Sequence, residues 1–258
     1  MNLSGTWKFS LFLIVVVVCA TALALARQDQ SQSDKQKKEA ARRQVYENRG
    51  PIVDYDSSNI TMSSATQHEK NIRETRSKRH NKQAPQQLGR FPTGMEGYDI
   101  HTHDHISLPA LPIKQCDLIV IGRVIDAYAF LSEDKTGVYS EFAIQIDEVL
   151  KDKTPQKIKM ASSITVERLG GVVRFQNNRE FPFRILDHGM LQVDGQYVLF
   201  LNQNTEGEDY QILTGYQLKE AQIVPLDISD QFDTYLGMDE AEFLNTVRQA
   251  VTRQSLRQ

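Results

Sequence analysis

Between Cys116 and Asp227 the apolar residues recur at every second position in short runs, and nearly every run ends at glycine, asparagine, aspartate or proline. Alternate residues of a strand face opposite sides of a sheet, so this patterning indicates β-structure. Asp117 to Ile125 is apolar almost throughout, as a strand covered on both faces would be, and Gly122 within it marks a bend or bulge. Val138 to Leu150 alternates strictly, with Val138, Ser140, Phe142, Ile144 and Ile146 set against Tyr139, Glu141, Ala143, Gln145 and Asp147. Further strands are expected over Lys157 to Arg168, Val172 to Phe175, Phe181 to Ile185, Gln196 to Leu201, Asp209 to Thr214 and Ala221 to Val224. No helical pattern lies between them, which predicts an antiparallel all-β domain over 116–227. A sheet with this many short strands closes on itself to hide its edges, giving a small antiparallel barrel (OB-like) or a sandwich.

After Pro225 the period changes. Phe243, Leu244, Val247 and Val251 share one face of a helix, Asp239 is placed to cap it, and Glu242 stands three residues on. Residues 228–258 are therefore read as a C-terminal helix and tail that braces the sheet.

The first 26 residues have the form of a signal peptide. Lys8 supplies a positive start, Phe9 to Val18 is apolar apart from Ser10, and Ala24-Leu25-Ala26 fits the small-x-small rule. Cleavage between Ala26 and Arg27 is expected, placing the protein in the periplasm or outside the cell. The alternative is a membrane anchor over residues 9–26, a hydrophobic helix at the lower limit for a span. A lipoprotein site at Cys19 is disfavoured because Val18 precedes it.

Residues 27–95 are rich in Gln, Ser, Asn, Lys and Arg and poor in aliphatics, and are read as a disordered polar linker, with a short helix over Asp34 to Glu47. Arg76-Ser77-Lys78-Arg79 matches a dibasic protease motif and Asn59-Ile60-Thr61 a glycosylation sequon, each a short pattern that arises readily by chance. Charge divides the chain sharply: residues 27–90 carry 14 basic and 8 acidic side chains, residues 91–258 carry 15 and 25. An acidic domain repels phosphate backbones, so nucleic acid is not an expected partner. With Cys19 in the leader, Cys116 stands alone and no intrachain disulfide is available; it is read as a small half-buried residue at a strand start.

Residues 96–115 form an extended lead-in carrying His101, His103 and His105. On a strand these imidazoles face one side, and neutral imidazoles suit zinc or copper, although a spacing of nearly 7 Å between same-face side chains suits two ligands better than three. Solvent-exposed histidines are the simpler reading, and no cofactor is otherwise implied. Tyr128, Phe130 and Tyr139 are candidates for a surface binding patch, Glu141, Glu167 and Arg168 are assigned to the solvent face of the sheet, and His188 to a turn. No nucleophile elbow, zinc-protease helix, phosphate loop, dinucleotide fingerprint or calcium loop occurs.

The patterns Asp117-x-x-Val120-x-Gly122-x-Val124, Tyr139-Ser140-Glu141-Phe142, Val149-Leu150-Lys151, Gly195-x-Tyr197-Val198-Leu199-Phe200-Leu201 and Leu213-Thr214-Gly215-Tyr216 resemble those of uncharacterised exported bacterial proteins with a C-terminal all-β domain. A weaker likeness to netrin-like and metalloprotease-inhibitor barrels lacks their disulfides, so no inhibitory cysteine is implied. The resemblance implies an extracytoplasmic domain and no catalytic residue. The expectation is a non-enzymatic binding or structural module whose partner is an envelope protein, a glycan or a wall component, touching membrane only if the leader is retained; the alternative is a metal-binding protein using the three histidines.

Overall fold

The computed structural model describes residues 47–57, 66–101, 108–204, 206 and 208–256, with scattered helical positions between 33 and 43. The chain divides into two units, 1–43 and 44–258. The leader, with Ala26 and Arg27, lies outside the described residues, among which no helix is long and apolar enough to cross a membrane.

The second unit is mainly β. Its elements are β1 (Ile52–Asp54), α1 (Gln67–Arg79), β2 (Tyr98–Ile100), β3 (Leu118–Leu131), β4 (Val138–Asp152), β5 (Ser163–Leu169), β6 (Gly171–Arg174), β7 (Glu180–Ile185), β8 (Gln196–Asn204), β9 (Asp209–Lys219), β10 (Gln222–Pro225) and α2 (Glu240–Ser255). A six-stranded sheet runs β10-β9-β5-β4-β3-β8, and β8 also pairs with β9. Strands β3, β4, β5, β9 and β8 therefore pair in a ring, with β10 as a third partner of β9. Most neighbours are antiparallel as expected, but β5 and β9 run parallel, as do β1 with β6 and β2 with β7. Hydrophobic alternation reports which residues share a face and is blind to strand direction, which is why the parallel pairs escape it.

Both faces of β3 are covered. Leu118, Val120 and Val124 join Phe142, Ile144, Val166, Leu199 and Leu201 in one core cluster, while Ile119 and Ile121 join Val198, Phe200 and Tyr216 in another, against Phe232, Phe243 and Val247. Register shifts in the β3–β4 ladder bend the long strand, one of them beside Gly122. A Cβ there would lie 2.6 Å from an Ile144 methyl and 2.7 Å from the Gln145 carbonyl oxygen, so only glycine lets the strands approach.

The reading of 27–95 as a disordered linker is corrected for the described parts of 47–95. Val53, Ala84 and Leu88 are buried in a third core cluster with Val173, Phe181 and Phe183. β1 and β2, drawn from this segment and the lead-in, flank the β6–β7 hairpin to make a four-stranded sheet, β1-β6-β7-β2. They cover hairpin edges that would otherwise offer open hydrogen-bonding groups to another chain. Composition suggested disorder because apolar residues are sparse here; the few present are buried, and the segment contributes charge besides.

Candidate functional site

Helix α1 begins with a reciprocal cap: the Glu69 amide donates to the Thr66 hydroxyl at 3.2 Å, and the Thr66 amide donates to the Glu69 carboxylate at 2.6 Å. Beyond that cap it has no apolar stripe. Its buried residues are Arg76 and Ser77, and a stripe of Arg73, Arg76 and Arg79 at i, i+3 and i+6 is turned to the sheet, continued by buried His80.

The sheet meets this stripe with carboxylates. Glu141 on β4 lies directly opposite Glu167 on β5, and Asp209 opens β9 beside them. Their side chains are 7%, 1% and 0% exposed. Like charges directly across a ladder destabilise it, so this row requires cations. Arg73 and Arg76 both donate to Glu141, the latter at 3.0 Å. Arg79 donates to Glu167 and forks onto Asp209, with Nη1 to Oδ2 at 3.0 Å and Nη2 to Oδ1 at 3.3 Å. Asn204 Nδ2 donates to Glu167 at 3.0 Å and to Asp209 at 3.3 Å, and His80 Nε2 lies 3.4 Å from Glu167. The assignment of Glu141 and Glu167 to a solvent face is thereby corrected: the face is right, but α1 covers it. Arg168, on the other face of β5, is buried too, donating from Nη2 to Asp227 at 2.6 Å.

The two adjacent carboxylates are driven apart electrostatically. Glu167 is held down at about 2: burial opposes its charge, but the hydrogen bond and charge of His80, together with Arg79, outweigh it. Asp209 is pushed up to about 6 by burial and by the charge of Glu167. The row can hold a guanidinium or share a proton; with α1 docked it does the first.

Aromatic rings border the row. Phe130 lies under Arg73, whose guanidinium carbon is 3.7 Å from the ring centroid, and Tyr139 stacks on His80 at 4.5 Å. Of the three aromatic residues singled out for a surface patch, Tyr128 is 56% exposed, Phe130 is half-buried, and Tyr139 is wholly buried. Tyr139 is therefore corrected from a surface residue to a wall of the site: it shares a sheet face with Glu141, and that face is covered. Its hydroxyl is buried beside Arg73, and burial pushes its pKa up.

The remaining candidates lie elsewhere. His101 is exposed just past β2, whereas His103 and His105 lie outside the described residues; among those described, no group of three His, Cys, Asp or Glu is arranged to hold a metal. His188 follows a turn and bridges to Asp227. Cys116 is a buried free thiol pushed up to about 11 by burial, which makes it a poor nucleophile. The dibasic motif forms the last turn of α1, and the sequon lies outside the described residues. Comparison with protein-family models and with curated proteins finds no match to the chain.

Proposed function

We propose that this chain is an exported, non-enzymatic binding module of the periplasm, envelope or extracellular space, recognising its partner through the carboxylate face of β4, β5 and β9. One observation carries the reading: three carboxylates converge on one sheet face, and the cations that neutralise them come from a separate helix rather than from the sheet. A sheet gains nothing in stability from such a row, since apolar side chains of similar size serve as well or better. Its presence is better explained by recognition. Tyr128 stands exposed at the rim, where an amphipathic ring suits an interface. The ring β3-β4-β5-β9-β8, with its parallel β5–β9 contact, supports reading the domain as an OB-like barrel. The leader pattern of residues 1–26 supports export.

Two measurements test this. N-terminal sequencing of the protein from its host should begin at Arg27; a chain that keeps Met1 in the cytosolic fraction ends the export reading. Immobilised full chain, exposed to the host's envelope extract, should retain a component that salt elutes and that E141Q/E167Q fails to retain. Identical retention by the two proteins would place recognition elsewhere.

A further inference from the structure

We infer that the carboxylate face is a receptor for an arginine-bearing helix, and that α1 is its resident ligand, a latch that a partner's basic helix displaces. The inference rests on the binding-module reading above and names the partner class for that same site.

The geometry of the row selects the class. A helix rises about 1.5 Å per residue, so Arg73, Arg76 and Arg79 are spaced by roughly 4.5 Å along its axis. Adjacent strands lie about 4.8 Å apart. On this scale a helix with arginine at every third position spans the row: Arg73 and Arg76 reach Glu141, and Arg79 reaches both Glu167 and Asp209. Arginine suits the site better than lysine, because Arg79 bridges Glu167 and Asp209 with a planar fork that an ammonium cannot reproduce.

Two further features make α1 a ligand rather than a structural helix. No apolar side chain of α1 is fully buried, so charge pairs hold it, and the outer two remain open to water, with Arg73 21% and Arg79 26% exposed. Such contacts exchange readily against equivalent ones. The face is also walled by aromatic rings: Tyr139, wholly buried, stacks on His80, and Phe130 lies under the Arg73 guanidinium. A partner helix with arginine at that point gains the same stacking on the Phe130 ring.

The experiment uses the full chain and a labelled synthetic peptide of residues 66–80, with its arginines changed to glutamine as the control. The variant R73Q/R76Q/R79Q opens the latch. A latch closed more than about nine-tenths of the time lowers apparent affinity about tenfold, so the variant should bind the peptide at least that much more tightly than wild type. Adding E141Q/E167Q should abolish the gain, and the control peptide should show none. A folded triple variant, with the amides of α2 protected as in wild type, that binds no better overturns the inference. Should the variant not fold, wild type decides: saturating peptide must speed hydrogen exchange at residues 67–79 and leave 240–255 unchanged, and no change at 67–79 is equally fatal. If the peptide fails while an envelope component is still retained through Glu141 and Glu167, only the arginine-helix class falls. Failure of both removes the binding reading as well.

Discussion

Two helices pack on the large sheet by opposite chemistry. α2 buries Phe243 and Val247 against Ile119, Val198 and Tyr216, with the Tyr216 and Phe243 rings 4.8 Å apart. α1 buries Arg76 and Ser77 and is held by guanidinium–carboxylate pairs. Apolar burial carries no charge to titrate, whereas charge pairs respond to pH and, where they stay open to water as Arg73 and Arg79 do, to salt. The same sheet thus carries one helix fixed by solvent exclusion and one held on terms that the medium sets.

The largest expected effect lies on the apolar side. Phe243→Ala should cost about 3–5 kcal/mol of global stability, measured by urea unfolding, and by the same amount at low and high salt. A salt-dependent loss would show that the exposed Arg248–Glu148 pair, 2.7 Å apart between α2 and β4, carries part of the docking. Next is Glu167→Gln, which leaves Arg79 and His80 facing a neutral amide. It should cost roughly 1.5–3 kcal/mol, the value of hydrogen bonds to a charged group, and the loss should change little in 1 M salt, because salt screens a buried pair weakly.

The pH dependence is smaller and changes sign. Asp209 titrates near 6 in the folded chain and near 3.9 when unfolded, so the folded state takes up its proton first and gains stability as pH falls between those values. Below about 4.3 the unfolded chain protonates Glu167 while the folded chain holds it charged to about 2, and stability is then lost with further acid. Melting temperature should therefore pass through a maximum between pH 4 and 5, and Asp209→Asn should flatten the limb between 6 and 4. A monotonic fall from pH 7 would contradict the assignment. The smallest test compares caps of the same kind. Asp239 accepts from the Glu242 amide at 3.1 Å, as Thr66 does from Glu69. Removing either with alanine costs about 1 kcal/mol. Asp239→Ala should lower global stability by that amount, whereas Thr66→Ala should appear only as faster hydrogen exchange within residues 67–79.

The two helices also differ in how far the sequence announces them. α2 was legible because Phe243, Leu244, Val247 and Val251 form an apolar face behind a good cap. The strands were legible by alternation, down to the face shared by Tyr139 and Glu141. α1 was not legible, because a stripe of arginine has no hydrophobic period; its signals were the Thr66–Glu69 cap and the opposite charges of the basic segment and the acidic domain. Glu141 and Glu167, set among apolar strand neighbours, hinted at the receiving surface, but no local pattern says what covers a sheet. The parallel partners β1, β2 and β9 depend on contacts distant in sequence, beyond the reach of any window.

That distance has a consequence for how the chain comes to be folded. Arg76 precedes its partner Glu141 by 65 positions, and Arg79 precedes Asp209 by 130. A ribosome delivers the arginines first, and β1 and β2 likewise appear before the hairpin they flank. Parts of this segment therefore depend on partners made much later, β1 and β2 on the hairpin and Arg79 on Asp209. Contacts that close late set a slow final step. A nascent chain of this design closes its charge row only once β9 has been made.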